Sequence, residues 1–404
     1  MLTVTEARER ILSNFKTTTT ETIPLTDSAQ RVLGVDILVD GDYPPFDNSA
    51  MDGFALRSED TTASPTTLNV VADIPAGSPP TVSLKAGEAA RIMTGAQVPQ
   101  GADCVIPVED TDFNDRNAGT TPPKTITFTK QMKSGDNIRP HGTDMRAGET
   151  VLKKGRTLKA QDLGLLATLG IANVTVHKKA RVALLSSGNE LLDANAPLEP
   201  GKIRDSNSYA LAAAIQSADT DVIRLGVAKD TRESVTSLLD KAAAENADLI
   251  LSSAGVSVGA FDFIKEVIEA NGQMDFWKVN MRPGKPLAFG EYRGIPFIGL
   301  PGNPVSAFVG YEVFVRPALE RLNGKMDGGR QTVKVRCAEE VNSDGRESYL
   351  RVKIHMDDGI RTAVLTGHQG SGNLLSLVQA DALLIIPAGV KCVPAGSEVE
   401  AILL

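Results

Sequence analysis

Aromatic residues are scarce in this chain, where Phe, Trp and Tyr together make up 4% of the 404 residues. Its cores must therefore be built from aliphatic side chains. Cysteine is also rare, and the three cysteines stand far apart, at positions 104, 337 and 392. This odd, scattered set argues against a disulfide framework and a cysteine-rich zinc site. The four histidines show no ligand-like spacing, which leaves a hard ion held by carboxylates as the metal candidate.

The chain also lacks an excess of positive charge and long apolar runs. Its net charge of −8 argues against nucleic acid or an anionic membrane as a bulk partner. No apolar run approaches transmembrane length, and the first ten residues lack the apolar core of a signal peptide. We therefore expect a cytoplasmic protein that holds any anionic ligand with local positive charge.

The texture of the sequence changes along its length, which exceeds that of one compact core and predicts about two to four domains. Short Val/Ile/Thr-rich runs broken by turn residues indicate β structure from about 22 to 150. From 180 to 322, strands alternating with helices predict a doubly wound parallel sheet. The β texture returns at 328–404, a length that fits a small barrel or sandwich.

The α/β region is the most regular part of the pattern. Its predicted strands and helices are, in chain order, Val182–Leu185, 207–218, Val222–Val227, 232–246, Leu249–Leu251, 262–271, Phe297–Leu300 and 304–322. The predicted C-terminal strands are Thr332–Val335, Tyr349–Ile354, Thr362–Leu365, Ala382–Ile386 and Glu398–Leu403. Multidomain α/β plus β is the fold class that follows.

The segment 249–263 is the most informative one. After its apolar strand comes a loop that is rich in hydroxyls and glycines, namely Ser252, Ser253, Gly255, Ser257 and Gly259. Such a strand–loop–helix turn directs backbone N–H and hydroxyl groups at one point, which suits an oxyanion. Asp262 stands at the rim of this predicted anion site.

Three acids follow predicted strands at the edge of the sheet where ligands bind. Glu190, Asp230 and Asp262 could together coordinate Mg²⁺, which prefers hard oxygen ligands. Alternatively, each acid is a helix cap or a partner of the helix dipole. Residue type alone leaves the two interpretations about even, and the adjacent hydroxyl-rich loops favour a site.

A second segment concentrates positive charge in this acidic protein. Lys278, Arg282 and Lys285 lie within eight residues in FWKVNMRPGKP, just ahead of the loop Pro301–Pro304. In that loop, Asn303 can cap the next helix with Pro304 at its first position. A phosphate pocket is the favoured interpretation, and a solvated basic loop is the alternative.

Three upstream segments are dense in polar turn residues, at 44–55, 93–103 and 139–148. They contain Asp52, Thr94 and Asp144. Turn chemistry alone accounts for their Asn, Asp, Gly and Pro content and predicts loops.

Together these segments resemble the molybdopterin molybdenumtransferase family, the MoeA-like proteins that also form the C-terminal part of gephyrin. The resemblance covers nearly the whole chain in the family's order. The matching strings are PPFDNSAMDGFA at 44–55, MTGAQVPQGAD at 93–103, SSGNE at 186–190, SSAGVSVGAFD at 252–262, FWKVNMRPGKP at 276–286, GLPGNPVSA at 299–307 and TGHQGSGNLLSL at 366–377.

The resemblance implies insertion of molybdate into adenylylated molybdopterin, with Mg²⁺-assisted release of AMP. It also implies an elongated homodimer whose active site lies between the α/β domain of one subunit and an upstream domain of the other. The implied partners are the pterin nucleotide, molybdate, a molybdopterin adenylyltransferase and cofactor-accepting enzymes. The implied domains are a mixed N-terminal dimerisation domain (1–45 with 140–177), a β-rich inserted domain (46–139), an α/β molybdopterin-binding domain (178–326) and a C-terminal β domain (327–404).

The family's functional positions can be carried over residue by residue. The acids and the hydroxyl fall on Asp52, Thr94, Asp144, Glu190, Asp230 and Asp262, of which the last three form the expected metal set. The expected cofactor-binding set is Ser252, Ser253, Gly255, Ser257, Lys278, Arg282, Lys285, Pro301, Asn303, Pro304 and Ser371, with Arg351 as a further C-terminal position. Which acids meet Mg²⁺ and which meet molybdate stays open, as does preference for molybdate over tungstate.

Two departures from the family pattern bear on activity. Ala254 stands where the family usually has glycine, so a positive φ there would strain the loop. Arg282 stands where lysine is common, and its planar guanidinium binds an oxyanion as a fork rather than as a point charge. Two other functions remain as alternatives: a non-catalytic molybdopterin-binding or scaffold protein, and a molybdopterin adenylyltransferase, whose fold the α/β region also resembles.

Overall fold

The computed structural model describes residues 1–113, 121–254, 263–326 and 329–404, apart from the side chain of Trp277. The chain forms two compact units, one from residues 1–35 and 154–404 and the other from residues 36–153. This division leaves the four expected domain boundaries untested, and they stay a prediction. In the described ranges, no helix is both long and apolar enough to span a bilayer.

The first unit begins with helix α1 (Val4–Ser13) and strand β1 (Thr20–Pro24). A capping box starts the helix: Thr3 Oγ1 accepts from the backbone N–H of Glu6, and the Glu6 carboxylate accepts from that of Thr3. The helix buries Val4, Ala7 and Ile11. It therefore packs one apolar stripe inward, as the spacing of these residues predicts.

The second unit is β-rich and centres on one five-stranded sheet, in the order β7-β4-β6-β5-β8. The strands of the whole unit are β2 (Ile37–Leu38), β3 (Asn48–Ser49), β4 (Gly53–Leu56), β5 (Thr66–Ile74), β6 (Glu88–Ile92), β7 (Cys104–Pro107), β8 (Thr125–Phe128), β9 (Ile138–Arg139) and β10 (Thr150–Leu152). The expectation of a loop throughout 44–55 was wrong, because β4 is fully buried between two neighbours. Gly53 permits this approach, since a Cβ there would lie 2.0 Å from the Ile106 carbonyl oxygen.

The chain then re-enters the first unit beside the point where it left. Leu33 N–H donates to the Arg156 carbonyl oxygen at 2.9 Å, and Gly155 N–H donates to that of Leu33 at 2.8 Å. Helix α2 (Ala160–Thr168) and strand β11 (Asn173–His177) follow, and β11 pairs antiparallel with β1. The segment that leaves the first unit at Leu33 and the segment that re-enters it at Gly155 and Arg156 are thus hydrogen-bonded to each other within that unit.

The α/β region is organised around a six-stranded sheet in the order β15-β12-β16-β20-β19-β17. Its elements are β12 (Arg181–Ser187), β13 (Leu191–Leu192), β14 (Ile203–Arg204), α3 (Ser206–Gln216), β15 (Asp221–Ala228), α4 (Arg232–Ala244), β16 (Leu249–Ser253), α5 (Phe263–Asn271), β17 (Gly272–Lys278), β18 (Met281–Arg282), β19 (Pro286–Tyr292), β20 (Ile295–Leu300), α6 (Pro304–Gly310) and α7 (Arg316–Leu322). The four predicted strands are the four parallel ones, β15, β12, β16 and β20.

Strands β17 and β19 were not predicted, and they pair antiparallel at one edge of this sheet. The basic loop expected at 276–286 is therefore partly a hairpin. Phe276 pairs with Phe289 across it, with ring centroids 5.7 Å apart. The Pro-Gly-Lys-Pro break lies at its turn, which hid the strand pattern on both sides.

Helices cover both faces of the sheet, which confirms the doubly wound prediction. Along β16, Leu249 and Leu251 belong to a core shared with α1, α3, α6 and α7, whereas Ile250 belongs to one shared with α4 and α5. Alternate residues of a strand point to opposite faces, so a run that is apolar throughout serves both cores.

A buried ion cluster lies between α6 and α7, where Tyr311–Val315 forms a π-helical turn. The Glu312 side chain is 0% exposed and accepts from Arg316 Nε at 2.7 Å and Arg330 Nε at 3.0 Å. Burial opposes ionisation of Glu312, but hydrogen bonds from both arginines outweigh it and lower the pKa of this carboxyl below its ordinary value.

The C-terminal region is a closed five-stranded barrel rather than a sandwich. Its elements are β21 (Thr332–Cys337), β22 (Val341–Asn342), β23 (Glu347–Asp357), β24 (Ile360–Leu365), α8 (Leu374–Val378), β25 (Ala382–Ile386), β26 (Cys392–Val393) and β27 (Glu398–Leu403). The sheet closes because β23 pairs with both β24 and β25, while β21 pairs with both β24 and β27.

Candidate active site

In the second unit, Asp52 and Thr94 are in direct contact. Asp52 Oδ1 accepts from the Thr94 backbone N–H and from its hydroxyl, both at 2.7 Å. Asp52 precedes β4 and Thr94 follows β6, which are neighbouring antiparallel strands. Both residues are exposed. The strand pairing thus unites two predicted site residues that are 42 positions apart in the sequence.

Asp144 lies elsewhere in the same unit, in the turn after β9. Its Oδ2 accepts from Arg139 Nη2 at 2.8 Å, and both side chains are about half exposed, at 49% and 53%. Its proposed role in the reaction is untested by this contact, since an exposed ion pair contributes little to stability and is also common on ordinary surfaces.

In the first unit, the carboxyl ends of the parallel strands gather several predicted residues. Asp230, after β15, accepts from Ser187 Oγ at 3.3 Å and from Asn189 N–H at 3.2 Å. Asn189 Oδ1 accepts in turn from the Asp230 N–H at 3.3 Å. These reciprocal bonds fix the carboxylate to the loop that follows β12.

Glu190 belongs to the same loop. Its carboxylate folds back over Gly188, where an added Cβ would lie 2.5 Å from Glu190 Oε2. Only glycine leaves room for this approach, and Gly188 also has a φ of +148°. Glu190 and Asp230 therefore contact adjoining residues of one loop, as the two acids of a shared site would.

The third expected metal ligand, Asp262, lies outside the described residues, as do Gly255 and Ser257. Within the ranges that the structure describes, no group of three or more acidic, histidine or cysteine side chains is arranged to hold a metal ion. The three-acid metal set therefore stays a prediction. Two acids, Glu190 and Asp230, are placed to contribute to it.

Strand β16 ends in two buried hydroxyls, Ser252 and Ser253. Ser253 Oγ accepts from Asn207 Nδ2 at 2.7 Å. The next residue, Ala254, has a φ of +68°, which is the left-handed conformation under which the sequence analysis expected strain in this loop. Its N–H donates to the Leu300 carbonyl oxygen at 3.0 Å and ties the end of β16 to the end of β20.

The proline loop follows β20. Pro304 is the first residue of α6, as predicted, and the prediction that Asn303 can cap this helix is confirmed for its position. Asn303 occupies the N-cap position, and its carbonyl accepts from Ala307 N–H at 2.9 Å while the side chain makes no capping bond. Pro301, which precedes this turn, is buried. The Asn303 side chain is exposed, so a ligand can reach it.

The three predicted cations are exposed along the β17–β19 hairpin and β18. Lys278 ends β17, Arg282 lies in β18 and Lys285 precedes β19. Arg282 Nη1 lies 3.8 Å from Asp344 Oδ2. Hydrogen bonds from Arg346 to Asp344 are the main reason why the pKa of this carboxyl is lowered. Asp344 is thus an anionic neighbour of Arg282 that the sequence analysis missed.

The C-terminal barrel supplies the remaining predicted positions. Arg351 is fully buried, with Nε 3.1 Å from Ser376 Oγ and Nη2 3.0 Å from the Gly370 carbonyl oxygen. Burial, and then the positive charge of Arg282, lowers the pKa of Arg351 to about 10. The Ser371 carbonyl oxygen accepts from Val305 N–H at 3.0 Å. The loop 366–373 therefore lies against the first turn of α6.

A cavity of about 510 Å³ lies at the opposite edge of the sheet, where the parallel strands begin. Asp248 and Ile295, which flank the starts of β16 and β20, are among its lining residues. A concave pocket of this size is often a ligand site. None of the predicted site residues lines it, so this cavity is separate from the candidate site.

Asn207, near the start of α3, was not predicted as a site residue. Its side chain is buried and bonds to both Ser253 and Gly302. The signal was present: Asp205-Ser206-Asn207 is a polar run ahead of an apolar helix that leads into β15. The amino end of that helix must lie at the carboxyl edge of the sheet.

Three family models match successive parts of the chain: the MoeA N-terminal region (domain I and II) at residues 2–170, a "probable molybdopterin binding domain" at 183–321 and the MoeA C-terminal region (domain IV) at 334–404. Molybdopterin molybdenumtransferase from Nostoc sp. is 38% identical, covering 94% of this chain and 88% of its own. Molybdopterin molybdenumtransferase 2 from Mycobacterium tuberculosis is 39% identical, covering 94% of both. The solved structure of the molybdopterin biosynthesis MoeA protein from Pyrococcus horikoshii has a TM-score of 0.84 and 34% identity, covering 100% of this chain and 99% of its own.

Proposed function

The chain belongs to the molybdopterin molybdenumtransferase family and is a transferase of molybdenum cofactor biosynthesis. From this premise, we propose that it inserts molybdate into adenylylated molybdopterin with Mg²⁺-dependent release of AMP. The observation that supports this reaction is the set of groups at the carboxyl edge of the sheet. Two acids, two buried hydroxyls and three exposed cations lie at or close to the ends of strands at this edge.

The acids fit the proposed metal. Mg²⁺ is commonly held by one or two carboxylates together with substrate phosphates. Glu190 supplies one carboxylate from the loop after β12, and Asp230 supplies another from the loop after β15, which is hydrogen-bonded to the first loop. When bound, Mg²⁺ would neutralise charge on the pyrophosphate of the pterin nucleotide. The bonds from Ser187 and Asn189 orient Asp230 whether or not the metal is present.

The cations provide the second half of the proposed site. Lys278, Arg282 and Lys285 would hold oxygens of phosphate or molybdate, because such anions need cationic and N–H donors. Asp344 holds Arg282 loosely, at 3.8 Å, so the guanidinium retains donors for a ligand. The hydroxyls of Ser252 and Ser253 and the loop at Ser371 would complete the pocket.

The test is incubation of the chain with adenylylated molybdopterin, molybdate and Mg²⁺. The proposal expects AMP release together with formation of molybdenum cofactor. Binding of the nucleotide without AMP release would instead support a scaffold, and consumption of ATP would support an adenylyltransferase. Omission of Mg²⁺ should abolish turnover and leave nucleotide binding measurable.

We also propose a homodimer in which Asp52 and Thr94 of one subunit serve the active site of the other. The support is the family resemblance together with the two hydrogen bonds that Thr94 donates to Asp52. Mixing Asp52→Asn and Asp230→Asn chains, at a Mg²⁺ concentration at which neither variant alone turns over, tests it. In a randomly mixed dimer population, shared sites would restore about a quarter of wild-type activity, whereas sites contained within one subunit would restore none.

A further inference from the structure

Asn207 occupies an unusual place for a polar side chain. It lies in the first turn of α3 and is 8% exposed. The amino end of α3 meets the carboxyl edge of the sheet, next to the ends of β16 and β20. Buried amides are retained only where their hydrogen bonds are satisfied, so the partners of Asn207 show what holds it there.

The two hydrogens of its amide group have acceptors on two different segments, one at the end of a strand and one in a loop. Asn207 Nδ2 donates to Ser253 Oγ at 2.7 Å and to the Gly302 carbonyl oxygen at 2.8 Å. Ser253 ends β16, and Gly302 belongs to the proline loop after β20. One side chain therefore spans the two segments that carry the proposed hydroxyl and proline-loop positions.

The same two segments also touch each other directly. A Cβ built on Gly302 would lie 3.3 Å from Ala254 Cβ, and Ala254 N–H donates to the Leu300 carbonyl oxygen at 3.0 Å. Gly302 has no Cβ, which leaves room for Ala254 beside the proline loop. The bond from Asn207 limits how far the proline loop can move away.

We infer that Asn207 is a positioning residue that holds the proline loop at a fixed distance from the Ser252–Ser253 hydroxyls, at the separation that the oxyanion of the substrate requires. This inference deepens the proposed function and rests on it. Asn207 acts through Gly302 and Ser253 rather than on the reacting atoms. Its loss should therefore affect the geometry of the loop before it affects the fold, since small displacements of a positioned group slow a reaction strongly.

The test variant is Asn207→Asp, which is nearly isosteric and cannot donate from an ionised carboxylate. Ser253 Oγ can reverse its role and donate to the new acid, whereas the Gly302 carbonyl loses its donor and is repelled. A carboxylate near the amino end of α3 also favours the helix dipole. The substitution therefore releases the proline loop selectively and keeps the helix.

Hydrogen exchange and steady-state kinetics are then measured on the full chain. In Asn207→Asp, amides of 299–305 should exchange about tenfold faster, the factor for one hydrogen bond of ordinary strength. Amides of 249–253 and of the C-terminal barrel should stay unchanged. We expect kcat to fall at least about tenfold, with the KM for the pterin nucleotide changed by less than about threefold.

Two controls separate this role from a general effect on folding. Asn271→Asp makes the same chemical change at an exposed site whose amide bonds within α5, and it should leave exchange in 299–305 and kcat unchanged. Ser253→Ala removes the other acceptor of Asn207 and keeps the bond to Gly302. It should leave exchange in 299–305 at the wild-type rate.

Unchanged exchange in 299–305 would overturn the inference, as would faster exchange throughout the first unit or faster loop exchange with an unchanged kcat. A wild-type chain without transferase activity would refute the proposed function instead. In that case the exchange rates would still decide whether Asn207 holds the proline loop.

Discussion

The backbone at Ala254 should be more stable with glycine than with the residue that is present. Its φ of +68° is left-handed, a conformation that disfavours a residue with a Cβ by about 1–2 kcal/mol. Glycine gains more freedom in the unfolded chain, which offsets about 0.4–1 kcal/mol of this. The net expectation for Ala254→Gly is a free energy of unfolding higher by about 0.5–1 kcal/mol.

Urea unfolding at 25 °C can detect a change of this size. Far-ultraviolet circular dichroism follows the transition, because helices α3 to α7 belong to the same unit as Ala254. The midpoint for Ala254→Gly should rise with an unchanged slope, because the surface exposed on unfolding is the same.

The matched control is Ala213→Gly, the same replacement at an exposed position in the interior of α3. Glycine in a helix interior destabilises by about 0.5–1 kcal/mol relative to alanine, so this midpoint should fall. Opposite shifts of the urea midpoint in the two variants would show that backbone conformation decides whether replacing alanine by glycine stabilises or destabilises the protein. A lower midpoint for Ala254→Gly would refute the reasoning and show that contacts of the methyl group outweigh the strain.

Three further predictions concern charged and polar pairs. Glu312→Gln should lower the free energy of unfolding by about 3 kcal/mol or more, because it leaves a buried arginine without its counter-charge; calorimetry measures this, and an unchanged melting temperature would contradict it. The pKa of Glu312 is lower in the folded state than in the unfolded state. Its contribution to stability is therefore complete above its ordinary pKa of 4.5 and is lost as pH falls through the folded value. The difference in free energy of unfolding between wild type and Glu312→Gln should accordingly become smaller in acid. Thr94→Val should reduce kcat about tenfold because Asp52 loses a hydroxyl donor, and Thr94→Ser should keep wild-type AMP release; equal activity of the two variants would exclude a role for this bond. Asp230→Asn should weaken the apparent Mg²⁺ affinity about tenfold in a titration of AMP release, and an unshifted titration would place the metal elsewhere.

The regular parts of the fold were predictable because their residues follow simple periods. Buried parallel strands are apolar throughout, and the helices between them have one apolar face, so the pattern of β12, β15, β16 and β20 was evident in the sequence. The β17–β19 hairpin was missed because three cations and Pro-Gly-Lys-Pro dominate its composition. Strand β4 was missed because its neighbours, Asp47 to Asp52, are typical of turns.

The site was predictable to the extent that sheet topology determines which loops meet. Glu190 and Asp230 end neighbouring parallel strands, so their proximity follows from the order of the elements. The bonds of Asn207 and the position of Asp344 depend on tertiary packing between segments that are distant in the sequence. The family resemblance identified Ala254 as a departure, and its φ of +68° shows what the departure means physically.

The two hydrogen bonds that join Leu33 to residues 155 and 156 have a consequence for the gene as well as for the protein. The two ends of the 36–153 segment lie next to these two hydrogen bonds. A stretch of coding sequence inserted at this site therefore adds a whole unit and leaves the strand pairing of the first unit intact. We expect this site to tolerate exchange of one inserted segment for another. It also marks where a designed gene can close the first unit with a short turn and omit the second.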